Sequence, residues 1–138
     1  MASGSLHQRN FRKARAASQL SDFPHHHLGA VIAFGSRVVA VGYNSTKTNP
    51  IQKFYKTERN FESDTKNNGM VHAEMACLIQ TKNLDVDWSK ASIYIYREHK
   101  DGSTALAKPC AACQKALQAR GIKNIFYTTE DIPYTKLH

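Results

Sequence analysis

The chain alternates short apolar runs with two segments of helical periodicity. Residues 28–34, Leu-Gly-Ala-Val-Ile-Ala-Phe, and 37–42, Arg-Val-Val-Ala-Val-Gly, flank Gly35-Ser36 and predict a hairpin of two strands. Their apolar density predicts burial on both faces. Residues 92–97 alternate Ile93 and Ile95 against Tyr94 and Tyr96 and predict a third strand. Residues 123–128 predict a last one. Helical spacing places Met75, Leu78 and Ile79 on the inner face of a helix over roughly 71–83. Pro109 and Gly121 bracket another helix over roughly 110–120. A weaker apolar face of Leu6, Ala14, Ala17 and Leu20 predicts a first helix over 6–20. Asp101-Gly102 marks a turn. Residues 45–70 are polar, and a stretch this long without periodicity reads as a functional or mobile loop. The order αββαβαβ, with a strand–helix–strand crossover, predicts a mixed sheet between helices: a three-layer α/β/α sandwich.

The 138 residues fit one domain, 1–138, and 41% hydrophobic residues suffice for a core. No apolar run approaches the ~20 residues of a membrane span, and Met1 to Leu20 lacks the apolar stretch of a secretory signal. Met1 to Ser5 carries no weight in this reading. Three cysteines, two of them as Cys-x-x-Cys, point to metal or redox chemistry in a reducing compartment, hence a cytoplasmic location. The formal charge of +8, from 19 basic and 11 acidic residues, favours phosphate-bearing partners; its bland alternative is a solvated surface.

Two segments carry the chemistry. His72-Ala73-Glu74 opens the second helix, and Pro109-Cys110-Ala111-Ala112-Cys113 opens the third. Cys110 and Cys113, three apart, present both thiols to one side, and a helix N-terminus favours thiolates. Two thiolates and an imidazole form a ligand set suited to Zn²⁺, with a fourth position open for water as in catalytic sites. Glu74 need not be a ligand and is placed to move protons. A thioredoxin-like pair would leave His72 and Glu74 unexplained. A structural zinc would need a fourth ligand, and the spare Cys77 falls on the inward helix face, as a core residue should.

His-x-Glu followed by Pro-Cys-x-x-Cys resembles the signature of the zinc-dependent cytidine deaminase-like superfamily. Element order extends the resemblance over roughly residues 7–130. Gly121 to Tyr127 is similar to the strand after the second zinc helix in its deoxycytidylate, tRNA and APOBEC-type branches, where it runs parallel to its neighbour. The 34 residues between Glu74 and Pro109 are long for the family, through an extra hairpin at Asp101-Gly102. The resemblance implies zinc-dependent hydrolytic deamination at C4 of cytosine, with Zn²⁺ on His72, Cys110 and Cys113. It implies Glu74 as proton shuttle, Asn44 as a contact to sugar or base, and the Ala73 N–H as a guide for the exocyclic amine.

The expected partner is a cytosine nucleoside or nucleotide, phosphorylated if Lys47 and Lys108 serve the site; no membrane is expected, and a homo-oligomer is left open. Two alternatives remain. One is a deaminase of single-stranded DNA or RNA, using Lys47, Lys53, Lys56, Arg59 and Lys66 with Phe54, Tyr55 and Phe61. The other is a non-catalytic zinc-binding or toxin-like domain, against which the intact Glu74 argues. His25-His26-His27 reads as a native loop leading into the first strand, with lining of the site mouth as its lesser alternative.

Overall fold

The computed structural model describes residues 5–21, 27–45, 72–99 and 101–137. Its elements are α1 (Leu6–Ser18), β1 (Leu28–Phe34), β2 (Arg37–Tyr43), α2 (Ala73–Gln80), a 3₁₀ turn (Trp88–Lys90), β3 (Ser92–Arg97), α3 (Ala111–Arg120), β4 (Asn124–Tyr127) and β5 (Thr135–Lys136). The strands form one sheet in the order β2-β1-β3-β4-β5. β1 pairs antiparallel with β2 and β3, β3 pairs parallel with β4, and β4 pairs antiparallel with β5. The sheet is therefore mixed, as expected.

Side-chain alternation gives the sheet two buried faces. Ala30 and Ile32 of β1 and Ile93 and Ile95 of β3 join Met75, Cys77 and Leu78 of α2 and Leu117 of α3 in one cluster. Val31 and Ala33 of β1 and Tyr94 and Tyr96 of β3 pack instead with Phe11 and Ala14 of α1. Helices cover both faces, which makes the three layers. Tyr94 stacks on Phe126 with 5.1 Å between ring centroids, and Phe11 meets Tyr94 edge-on at 5.2 Å.

The structure revises several boundaries. α1 starts on a capping box that uses Ser5: its hydroxyl accepts from the Gln8 amide at 3.1 Å, and its own amide donates to the Gln8 side chain at 2.9 Å. Its inner face is Phe11, Ala14 and Ala17, whereas Leu20 lies beyond the helix and is 63% exposed. α2 is shorter than 71–83, because Thr81 turns its hydroxyl back onto the Cys77 carbonyl at 2.9 Å and ends the helix. The Asp101-Gly102 hairpin reduces to a single bridge between Glu98 and Thr104. β5 has no counterpart in the sequence reading, since two residues carry no readable alternation. The expected loop at 45–70 lies outside the described residues, save for Ser45.

Two glycines set helix-to-sheet distances. A Cβ on Gly42 of β2 would stand 2.4 Å from the Ala73 carbonyl oxygen of α2. One on Gly29 of β1 would stand 2.0 Å from the Ala14 carbonyl oxygen of α1. Only glycine permits these approaches without moving backbone.

Candidate metal centre

α3 returns antiparallel to β3 before β4 runs parallel to it, so α3 begins at the sheet end where β3 and β4 finish. α2 begins at the same end, because its first residues meet those of α3 there. His72 is the N-cap of α2 and Cys110 the N-cap of α3, both with extended backbone. Cys110 thus precedes the helix instead of lying within it. Its sulfur accepts the Cys113 amide at 3.4 Å, as a capping oxygen would. Cys113, in the first turn of α3, is fully buried.

These caps converge. His72 Nδ1 lies 3.3 Å from Cys113 Sγ and 3.5 Å from Cys110 Sγ. All three donor atoms lie within 4.8 Å of one another, and Glu74 is not a member of the group. Zinc bonds of about 2.3 Å to sulfur and about 2.0 Å to nitrogen, at tetrahedral angles, set the sulfur–nitrogen separation at about 3.5 Å. The donor set therefore fits a tetrahedral Zn²⁺ in both chemistry and spacing. The Cys110 thiol is held well below the ordinary thiol range, at about 4, first by its hydrogen bond with Cys113 and then by His72, against the effect of burial. That thiol is ready to ligate as thiolate.

Glu74 sits in the first turn of α2 and is 3% exposed. Burial pushes the Cys77 thiol up, and the charge of Glu74 adds to the shift. Cys77 donates to the Ala30 carbonyl at 3.4 Å, so it packs α2 on β1 and is no ligand of the group. Ala73 is fully buried, and as the first residue of α2 its N–H has no acceptor within the helix. Asn44, 6% exposed, follows β2. Its Oδ1 accepts from the Leu28 amide at 2.9 Å and its own amide donates to the Leu28 carbonyl at 3.2 Å, which fastens it to the start of β1. Lys108 is exposed beside Pro109. Lys47, His25, His26 and the basic and aromatic residues from Lys53 to Lys66 lie outside the described residues.

Sequence reasoning missed three residues that brace the elements around this centre. Arg120, in the last turn of α3, donates to the Leu78 carbonyl and the Thr81 hydroxyl at 2.9 Å each and lies over the Trp88 ring at 5.0 Å. It supplies donors to the carbonyl end of α2, whose last turn has no basic residue of its own. Thr128 accepts from the Arg97 amide at 3.2 Å and donates to the Ala105 carbonyl at 2.7 Å, tying the segment before Cys110 to the sheet. Arg97 donates from Nη1 to the Leu106 carbonyl at 3.3 Å. Its place on the Ile93 and Ile95 face was readable from the alternation of β3, but its use was not.

A family model of the cytidine and deoxycytidylate deaminase zinc-binding region matches residues 5–129. No curated protein sequence matches the chain significantly. Among solved structures, dCMP deaminase from the cyanophage S-TIM5 in apo form aligns with a TM-score of 0.62 at 20% identity, over 91% of this chain and 83% of that one. The same cyanophage enzyme in complex with dCMP and dUMP aligns with a TM-score of 0.62 at 19% identity, over 92% of this chain and 83% of that one. Cytidine deaminase from Burkholderia pseudomallei aligns with a TM-score of 0.63 at 16% identity, over 96% and 92%. At such identities these neighbours establish the fold. The match over residues 5–129 goes further and places the chain in the cytidine and deoxycytidylate deaminase family.

Proposed function

We propose that the chain is a zinc-dependent deaminase that converts the C4 amine of cytosine to a carbonyl in a free nucleoside or nucleotide, the phosphorylated form preferred. One observation carries the reading: the imidazole of His72 lies between two cysteine sulfurs at 3.3 and 3.5 Å, with Glu74 buried two residues further along the same helix. His72, Cys110 and Cys113 hold the metal, which when bound supplies a Lewis acid that brings the ionisation of water to near-neutral pH. Glu74 accepts the proton of the attacking water and delivers it to ring N3. It then takes the remaining proton from the hydroxyl added at C4 and passes it to the departing amine, so that the C4–N bond breaks, ammonia leaves and the C4 carbonyl forms. In this reading the Ala73 N–H orients the exocyclic group, and Asn44 holds sugar or base. We take residues 1–138 as one domain. Three cysteines without a disulfide support a reducing compartment such as the cytoplasm.

The net charge of +8 also favours a second reading, deamination within single-stranded DNA or RNA. A panel of cytidine, deoxycytidine, their monophosphates and short single-stranded oligonucleotides, scored by ammonia release, separates the two. Preferential conversion of a monomer supports the first reading; efficient conversion of oligonucleotides with weak action on monomers overturns it.

A further inference from the structure

Arg97 is the last residue of β3. It pairs across the sheet with Leu28, which packs against the cluster under α2 and α3, so its side chain leaves the sheet on the metal-centre face. It also stands at the strand end where both metal-bearing helices begin. In open α/β sheets that end is where ligands enter. Around it lie Asn44, bonded to both backbone groups of Leu28, and the Leu106 carbonyl, four residues before Cys110.

The guanidinium is under-used. Of its five N–H groups, only one on Nη1 has a described partner, the Leu106 carbonyl at 3.3 Å. Nε is buried and has no hydrogen-bond partner among the described residues. Among those residues, no carboxylate stands within ion-pair distance of Arg97. The adjacent Glu98 points to the opposite face, where it accepts from Tyr96 and from Arg15 at 3.2 Å. A partly buried cation whose buried donor has no partner among the described residues, and which has no counter-ion among them, is unfavourable unless an anion or another acceptor completes it. The planar fork of an arginine matches two oxygens of a phosphate.

We propose that Arg97 is a specificity-determining residue that binds the phosphate of the substrate at the mouth of the metal centre, making a cytosine nucleoside monophosphate the preferred substrate. The assignment rests on the deaminase reading above and adds to it the residue that distinguishes nucleotide from nucleoside. Lys108 is exposed two residues before Cys110.

The test uses the zinc-loaded full-length protein and its Arg97→Gln and Arg97→Lys variants, with dCMP and deoxycytidine as paired substrates. Loss of one charge-assisted contact predicts that Arg97→Gln raises KM for dCMP by about 10- to 100-fold. The kcat for dCMP and the kcat/KM for deoxycytidine stay within a few-fold. Arg97→Lys recovers part of the loss. Inorganic phosphate competes with dCMP on the wild type and loses this effect on Arg97→Gln. Deoxycytidine turnover and the melting temperature serve as controls for folding. An equal loss on both substrates, in both variants, shows that Arg97 only tethers the Leu106 segment, and overturns the assignment while leaving the deaminase reading intact. Unchanged dCMP kinetics in Arg97→Gln overturns it likewise. Absence of turnover of both substrates by the wild type overturns the deaminase reading and this assignment with it.

Discussion

His72, Cys110 and Cys113 do work that no other described residues duplicate, since theirs are the donor atoms that converge. Cys110→Ala or Cys113→Ala should therefore lose zinc, measured as metal per chain after dialysis, and should lower the melting temperature because ligand and folding energies are linked. Full zinc occupancy in either variant would contradict the ligand assignment. Glu74 is separable from them: Glu74→Gln should keep zinc and fold while turnover falls by about 10²–10⁴-fold or more. Near-normal turnover would mean that another group moves the protons. At this scale the motifs were legible because ligand chemistry restricts residue type and spacing so tightly. Arg97 and Arg120 were not, because an arginine at a strand end or in a last helical turn reads as solvated surface until its partners are known.

The elements act as brackets for those residues. Gly42 lets α2 approach β2 so closely that any Cβ meets the Ala73 carbonyl. Gly42→Ala should cost about 1–3 kcal/mol and, by displacing the helix that carries His72 and Glu74, should also lower zinc retention. Gly29→Ala crowds α1 on the other face and should destabilise while the folded fraction keeps its zinc. Denaturant melts paired with metal analysis separate the two, and equal effects on zinc would refute the division of labour between the faces. Arg120→Ala removes the link between the far ends of α2 and α3 and should cost about 1.5–3 kcal/mol, with partial recovery in Arg120→Lys. Strand and helix types followed from periodicity, and β1 and β3 show why: each alternates between two buried faces. The ends did not. The stop of α2 at Thr81 depends on a side-chain hydroxyl turning back to Cys77, and β5 is two residues held by pairing with β4. Such features follow from tertiary contacts and leave no periodic trace.

For the whole molecule, the sheet brings the two helix starts to one end and leaves the chemistry there, while α1 closes the other face. α1 carries Arg9, Arg12, Lys13 and Arg15 and no acidic residue, so part of the positive charge lies away from the metal centre. Salt dependence tests whether that charge serves the substrate. A nucleotide enzyme should show a modest rise of KM with ionic strength, whereas single-stranded nucleic acid binding should weaken with a log–log slope of about 0.7 per neutralised phosphate. Among the described residues no helix is long and apolar enough to cross a membrane. The most direct test of the central claim is deamination of dCMP by the purified, zinc-loaded protein, followed as formation of dUMP with matched release of ammonia. The account predicts conversion that a chelator abolishes, that added zinc restores, and that Glu74→Gln lacks despite a full complement of metal. Conversion that persists without zinc, or in Glu74→Gln, would contradict it, as would a zinc-replete wild type that releases no ammonia from any cytosine substrate.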